Sequence, residues 1–90
     1  MTCIEKQWHV YVIQTLQGKL YTGITTDVAR RFNEHANKKG AKFFFIDPPA
    51  CVVWSMTCSS KSEALKKEAW MKKLPSSEKR KFIRDIGQTL

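Results

Sequence analysis

The stretch L-Y-T-G-I-T-T-D-V-A-R-R, residues 20–31, joins the pattern of a β-strand to the start of a helix. Its first half is rich in β-branched and aromatic side chains, which favour extended structure. Asp27 or Thr26 can then cap a helix, because a side-chain oxygen there accepts a hydrogen bond from an unpaired N–H group of the first turn. The stretch therefore predicts a strand that ends where a helix begins.

The predicted helix carries two stripes of side chains. The inner stripe is Val28, Phe32 and Ala36, which we expect to pack against the strands. Arg31 and His35 lie one turn apart on the second stripe. A guanidinium matches a pair of phosphate oxygens, and an imidazole can donate a hydrogen bond or transfer a proton near neutral pH. The alternative is that both side chains lie on a solvated face of the helix.

Residues 8–16, W-H-V-Y-V-I-Q-T-L, have the composition of a partner strand, and Gln17-Gly18 supplies a turn between the two strands. The loop length decides which faces the tyrosines occupy, because side chains alternate along each strand. A two-residue loop would place Tyr11 and Tyr21 on opposite faces, whereas a three-residue loop with Gly18 in the left-handed conformation would place them on one face. Convergence of the two phenols therefore predicts a loop of odd length. The alternative is that both are ordinary half-buried sheet aromatics.

Beyond the first helix, the pattern predicts one more strand and two more helices. Residues 51–57, C-V-V-W-S-M-T, form the third strand. Ser60 and Glu63 have the spacing of a capping box that opens a helix over about residues 61–74, and a last helix spans about residues 77–87. The predicted fold class is α+β in the order β-β-α-β-α-α, with a small three-stranded mixed or antiparallel sheet flanked by helices.

The composition fits one small domain with a basic surface. The 90 residues are 42% hydrophobic, enough for one modest core, so a single domain over residues 1–90 is predicted. The net charge of +8 favours polyanionic partners such as nucleic acid, although such a charge can also serve solubility alone. No secretory apolar run opens the chain and no stretch has membrane-spanning length, which predicts a cytoplasmic protein without membrane contact. Three cysteines without C-x-x-C spacing give no pattern for zinc or redox chemistry.

Glu68 is the acidic residue whose position is most informative. On a helical wheel it lies between Ala64, Leu65 and Met71, on the side of the helix that is expected to face inward. An ionised carboxylate in such a place needs a partner. Lys72, four residues later, can supply a salt bridge. Alternatively, a hard divalent cation such as Mg²⁺ can be held by this carboxylate together with water and a substrate phosphate.

The connection that follows the first helix, K-K-G-A-K-F-F-F-I-D-P-P-A, is both basic and aromatic. Lys38, Lys39 and Lys42 are candidates for contacts with a nucleic-acid backbone. Phe43 or Phe44 can stack on an unpaired base. The alternative is that these aromatic side chains form a small satellite core beneath a long loop.

Four segments follow one another in a characteristic order: H-V-Y (residues 9–11), Y-T-G-I-T (21–25), D-V-A-R-R-F-N-E-H (27–35) and S-E-A-L-K-K-E-A-W-M-K-K-L (62–74). This order resembles the GIY-YIG endonuclease superfamily. The likeness covers roughly residues 8–74 and is strongest to the small standalone bacterial proteins of one domain that are called URI-type. His9 stands where that motif has a glycine, and Thr22 where it has an isoleucine.

The resemblance implies two motif tyrosines, a helix arginine, a helix histidine, a motif glycine and a metal-binding glutamate: Tyr11, Tyr21, Arg31, His35, Gly23 and Glu68. It also implies one divalent ion per site, Mg²⁺ or Mn²⁺, and a tyrosine that assists the attack of water on a phosphodiester. Because a phenol has a pKa near about 10, a cation must help, and Lys19, His35 and the metal are the candidates. Lys19 and Gly23 are further assigned to contact with nucleic acid.

Two hypotheses of function follow. The first is a metal-dependent nuclease that hydrolyses phosphodiester bonds, with DNA favoured over RNA, at ends, single strands or damaged structures. The second is a nucleic-acid-binding module with little turnover on the same scaffold. Several members of the superfamily have an Asn after the metal-binding glutamate, and no Asn follows Glu68 here, which leaves the second hypothesis open. A third hypothesis, a protein adaptor that uses Trp54 and Trp70, is not supported by any sequence motif.

Overall fold

The structure is a computed structural model that describes the backbone of residues 7–39 and 41–88 and the side-chain environments up to residue 85. Its elements are β1 (Trp8–Thr15), β2 (Leu20–Thr25), α1 (Val28–Ala36), α2 (Phe43–Ile46), β3 (Pro49–Cys58), α3 (Lys61–Lys73) and α4 (Ser76–Gln88). The sheet is antiparallel throughout, with the strand order β2-β1-β3. The predicted α+β fold is confirmed. The short helix α2 is an addition to the predicted order.

The hairpin between β1 and β2 has a loop of odd length. The Thr15 N–H donates to the Lys19 carbonyl oxygen at 2.8 Å, which leaves three loop residues between them. Gly18 has a φ of +87°, the left-handed conformation that glycine adopts without a steric penalty. The resulting register places Tyr11 and Tyr21 on the same face of the sheet, as their convergence required.

Helices cover both faces of the sheet, and each face has its own core. On one face, α3 and α4 cover a cluster whose buried members are Val10, Val12, Trp54, Cys58, Ala64 and Met71. On the other face, α1 and α2 cover a smaller cluster built on Tyr11, Ile13 and Phe44. The alternation of side chains along β1 supplies both clusters, because successive residues point to opposite faces.

The inner face of α1 differs from the prediction. Val28 and Phe32 pack against the smaller cluster, but Ala36 is exposed and His35 is the fully buried side chain. The reason is helix geometry. At 3.6 residues per turn, residue 35 lies within about 20° of residue 28 around the helix axis, whereas residue 36 lies about 80° away. Thus the histidine faces the core, and the interpretation of a solvated helix face is wrong for this residue.

Helix starts are capped largely as predicted. The Asp27 side chain accepts from the Arg30 N–H at 3.0 Å, so Asp27 rather than Thr26 is the cap. Ser60 Oγ accepts from the Glu63 N–H at 3.1 Å. The return bond of the capping box is shifted, because the Glu63 carboxylate accepts from the Ser59 N–H at 3.1 Å. Its second oxygen accepts from the Ser59 hydroxyl, so the serine before the cap completes the box.

A buried carboxylate fixes the hairpin loop to the connection that precedes β3. Asp47 accepts from the Thr15 hydroxyl at 2.6 Å and from the Gln17 N–H at 3.1 Å. The Leu16 N–H donates to the Pro48 carbonyl oxygen at 2.9 Å nearby. Two distant segments are therefore held together, and none of these three bonds was predicted from the sequence.

The remaining expectations concern membranes and cysteines. Within the described ranges, no helix is long and apolar enough to cross a membrane. Cys51 is an exposed free thiol and Cys58 a buried one. Cys3 lies outside the described residues.

Thr22 offers a test of the larger core. It faces the same layer as its partner Val12, and its hydroxyl oxygen is buried without a hydrogen-bond partner in the part of the chain that the structure describes. Replacing Thr22 by the isosteric Val should raise the free energy of unfolding by about 1 kcal/mol, because an unpaired buried hydroxyl is destabilising. Urea denaturation measures the change.

Thr25→Val is the matched control for this prediction. The Thr25 hydroxyl is also buried, but it accepts from the Asp27 N–H at 3.2 Å. Its loss should lower stability by about 1 kcal/mol. Equal destabilisation by both substitutions would contradict the assignment of Thr22 as unpaired.

Candidate active site

Two tyrosines and the buried histidine converge on one face of the sheet. The ring centroids of Tyr11 and Tyr21 are 6.4 Å apart, and His35 lies 6.1 Å from Tyr11 and 5.4 Å from Tyr21. The Tyr11 hydroxyl oxygen is 3.0 Å from His35 Nε2, within hydrogen-bond distance. Elements β1, β2 and α1 thus bring together residues that are separated by up to 24 positions in the sequence.

Gly23 leaves space for the Tyr11 hydroxyl. The two residues face each other across β1 and β2. A Cβ atom at position 23 would lie 2.5 Å from the Tyr11 hydroxyl oxygen and 2.7 Å from Cζ, closer than van der Waals contact allows. The packing of the first tyrosine therefore requires a glycine in the Y-T-G segment, and the contact of Gly23 with nucleic acid stays a prediction.

Arg31 extends from α1 and is held by Glu34, an acid that was not predicted from the sequence. Arg31 Nη1 donates to Glu34 Oε1 at 2.9 Å, and Arg30 Nη1 donates to Glu34 Oε2 at 2.8 Å. The Glu34 hydrogen bond raises the pKa of Arg31, and the same bond lowers the pKa of Glu34. The spacing of three and four residues was the available sequence signal for this contact.

The surroundings of Tyr11 keep its hydroxyl protonated. Burial is the main cause that raises the pKa of Tyr11 to about 12, and the Tyr21 and Glu68 charges act in the same direction. The opposing influence is the hydrogen bond and charge of Arg31. Arg31 is therefore a protein cation that acts on this phenol, and it was not among the three candidates named from the sequence, which were Lys19, His35 and the metal.

His35 is electrically neutral near pH 7. Burial lowers the pKa of this imidazole, and the positive charge of Arg31 lowers it further. Phe44 packs against its ring, with centroids 4.5 Å apart. The imidazole is thus a desolvated hydrogen-bonding group within the core, at the back of the site.

Glu68 lies on α3, the helix that covers the opposite face of the sheet from α1. Its side chain is 19% exposed, and Oε2 lies 3.3 Å from Lys72 Nζ, so the predicted salt bridge is present. Leu65 is exposed, which means that the inward face of α3 is narrower than expected and that Glu68 lies at its margin. Because its negative charge acts on the Tyr11 phenol, Glu68 is part of the electrostatic environment of the site.

A divalent ion fits this site only with a single carboxylate as its protein ligand. Across residues 7–39 and 41–85, no group of three or more His, Cys, Asp or Glu side chains is placed to hold a metal ion. A hard cation can bind through one carboxylate, with water and substrate phosphate oxygens as its other ligands. Glu68 is partly buried and its charge acts on the Tyr11 phenol, so it suits that mode, whereas a site built from protein ligands alone does not fit.

The basic residues proposed for nucleic-acid contact are all exposed. Lys38 and Lys39 follow α1, and their N–H groups donate to the carbonyl oxygens of His35 and Glu34. Lys42 precedes α2, and Lys19 lies in the hairpin loop. Lys38 and Lys39 are therefore attached to the helix that carries Arg31, whereas Lys19 belongs to a separate loop.

The aromatic residues of α2 divide into one core residue and one surface residue. Phe44 is 1% exposed and its ring is 4.8 Å from that of Tyr21, so it belongs to the core and does not stack on a base. Phe43 is 40% exposed and its ring is 5.5 Å from that of Tyr21. The satellite-core interpretation is therefore correct for Phe44, and Phe43 provides an exposed ring beside the site.

Comparison with known proteins identifies the family. The model of the GIY-YIG catalytic domain matches residues 7–81. A UPF0213 protein of Cupriavidus pinatubonensis is 44% identical over 85 residues, 94% of this chain and 94% of that protein. A UPF0213 protein of Pectobacterium carotovorum is 42% identical over 84 residues, 93% of this chain and 85% of that protein.

A solved structure agrees with these matches. The solution NMR structure of a UPF0213 protein from Bacillus halodurans has a TM-score of 0.57 and 36% identity, covering 87% of this chain and 83% of that one. The resemblance that the motifs indicated is thus confirmed. The chain belongs to the GIY-YIG domain family, which has a nuclease fold and acts on nucleic acid, and it is similar to the bacterial UPF0213 proteins.

Proposed function

We propose that this protein is a metal-dependent nuclease that hydrolyses phosphodiester bonds, with DNA as the preferred substrate, and that residues 1–90 act as a single domain. The observation that carries the proposal is the convergence of Tyr11, Tyr21 and Arg31 on one face of the sheet, within the electrostatic reach of Glu68. Phenols, a guanidinium and a carboxylate are the groups that can orient water, bind a phosphate and hold a divalent cation.

Each side chain has a separate task in this proposal. Arg31 binds the scissile phosphate and stabilises the negative charge that develops on it, because a guanidinium donates to two oxygens at once. The tyrosine hydroxyls orient the attacking water. Glu68 holds Mg²⁺ or Mn²⁺, which supplies Lewis-acid stabilisation of the leaving oxygen when bound. Lys72 must release Glu68 for that purpose, and its exposed position allows the release.

The preferred substrate is unpaired or end-exposed nucleic acid. Phe43 offers a partly exposed ring next to Tyr21, on which a base without a pairing partner can stack. Lys38, Lys39 and Lys42 are exposed and supply charge for the phosphate backbone. Both contacts are independent of base sequence, so the shape of the nucleic acid selects the substrate.

A nucleic-acid-binding module with little turnover is the second candidate. Two observations favour it: Lys72 occupies the Glu68 carboxylate, and burial raises the pKa of Tyr11 to about 12. Both features make the site less ready for catalysis before a cation and a substrate bind. The two candidates differ in whether metal ions produce cleavage products.

The experiment is cleavage of end-labelled single-stranded, duplex and branched DNA and of RNA, with Mg²⁺, with Mn²⁺ and with a chelator. We expect metal-dependent products from single-stranded or branched DNA that disappear on chelation. Arg31→Ala should reduce the rate by about 100- to 1,000-fold, since one charged donor to a developing negative charge is removed.

Arg30→Ala is the matched control for that variant. Arg30→Ala also removes an ion pair with Glu34, but the Arg30 side chain is the more exposed of the two, and the charge that acts on the Tyr11 phenol is that of Arg31. Its rate should stay within about threefold of wild type, because exposed ion pairs contribute little. Salt-sensitive binding without products from any substrate would support the binding module instead.

A further inference from the structure

His35 makes two hydrogen bonds although it is fully buried. Its Nδ1 atom accepts from the Ala41 backbone N–H at 3.3 Å, and its Nε2 atom lies 3.0 Å from the Tyr11 hydroxyl oxygen. The ring is 0% exposed and packs edge-on against Tyr21, so its orientation is fixed on all sides. Both ring nitrogens therefore have defined partners.

The Ala41 contact determines the tautomer. A backbone N–H group can only donate, so the Nδ1 atom that receives it carries no proton. A neutral imidazole then carries its proton on Nε2, and this N–H donates to the Tyr11 oxygen. The positive charge of the Arg31 guanidinium also acts on this phenol.

We infer that His35 is a positioning residue, held by Ala41 as the Nε2–H tautomer, which directs the Tyr11 hydroxyl proton towards the substrate. The Nε2–H group of His35 donates to the Tyr11 oxygen, so the hydroxyl proton of Tyr11 is free to bind a phosphate oxygen or the attacking water. In this arrangement His35 cannot take the proton from Tyr11. The use of that proton rests on the proposed nuclease function, whereas the tautomer does not.

Side-chain NMR tests the tautomer without any cleavage. Long-range ¹H–¹⁵N correlation at neutral pH distinguishes a protonated from an unprotonated ring nitrogen. The chain has only two histidines, so His9→Gln assigns the signals of His35 by elimination. We expect Nδ1 unprotonated and Nε2 protonated; a protonated Nδ1, or rapid averaging of the two nitrogens, would overturn the inference.

Two variants then separate positioning from proton transfer. The amide introduced by His35→Gln can accept from Ala41 and donate to Tyr11, but it cannot act as a base near neutral pH. The side chain introduced by His35→Leu can neither form a hydrogen bond nor accept a proton. We expect His35→Gln to keep the cleavage rate within about tenfold and to have the pH profile of wild type, whereas loss of a proton-transfer group costs about 100-fold or more.

His35→Leu should lose cleavage even where its amide spectrum shows a folded protein. A folded His35→Gln variant that loses as much activity as His35→Leu would refute the positioning role. If the wild type produces no cleavage, the nuclease proposal fails, and the NMR experiment alone still decides the tautomer.

Discussion

Replacing Glu68 by Gln is expected to reduce metal-dependent cleavage by about 1,000-fold or more, because the variant keeps the shape of the side chain and removes the charge that holds the cation. Folding should change little. The substitution breaks the ion pair with Lys72, whose partly exposed geometry is worth at most about 1 kcal/mol. Cleavage rate, Mn²⁺ affinity by electron paramagnetic resonance, and thermal unfolding together measure these effects.

Glu78→Gln is the matched control. Glu78 is an exposed acid in the first turn of α4, so this variant has the same change of net charge at another place. It should retain cleavage and Mn²⁺ binding. A Glu68→Gln variant that still cleaves at the wild-type rate would remove Glu68 from the metal site, and with it the central role of α3 in the proposal.

Adding one methyl group at Gly23 is expected to disrupt both the fold and the site. The new Cβ atom would meet the Tyr11 hydroxyl oxygen at 2.5 Å, and Tyr11 is buried and bonded to His35, so the ring has no easy way to move. Overpacking of this kind costs about 1 to 3 kcal/mol. Since the displaced hydroxyl belongs to the site, cleavage should fall by about 100-fold or more as well.

Gly18→Ala provides a contrast with the same chemical change. A Cβ atom at position 18 meets nothing within 4 Å, but the φ of +87° penalises any other residue. We expect a loss of about 1 to 2 kcal/mol with the cleavage rate retained in the folded protein. The double variant Tyr11→Leu with Gly23→Ala should be less destabilised than the sum of its parts, because leucine lacks the ring atoms that the new methyl group would meet, and strict additivity would show that the clash is not the cause.

The parts of the structure that sequence patterns predicted are those fixed by local chemistry. The helix caps at Asp27 and Ser60 depend on neighbouring residues only, whereas the odd loop at Gly18 was predicted from the convergence of the two tyrosines. The family motifs then brought the two tyrosines, Arg31 and Glu68 into one hypothesis; the two tyrosines lie together and the charge of Arg31 acts on Tyr11, while the roles of all four residues stay predictions.

The parts that the sequence did not predict depend on contacts between distant segments. Asp47 accepts hydrogen bonds from Thr15 and Gln17, which lie 32 and 30 residues earlier, and no local sequence pattern predicts such contacts. Ala36 was assigned to the inner face although it is exposed, because a stripe at intervals of four residues drifts around the helix. Phe44 looked like its neighbours Phe43 and Phe45, and only the packing beneath α2 separates a core residue from exposed ones.

The position of Glu68 in a different layer from Arg31 has a consequence for stability. Glu68 belongs to α3, which covers the larger core, whereas Arg31 belongs to α1, which covers the smaller one. A cation and a phosphate that join these two side chains would link the two faces of the sheet through the ligand. Because such a ligand binds only when both cores are folded, its binding free energy adds to the free energy of unfolding by mass action. The protein is thus expected to resist denaturation and proteolysis most strongly while it holds its substrate.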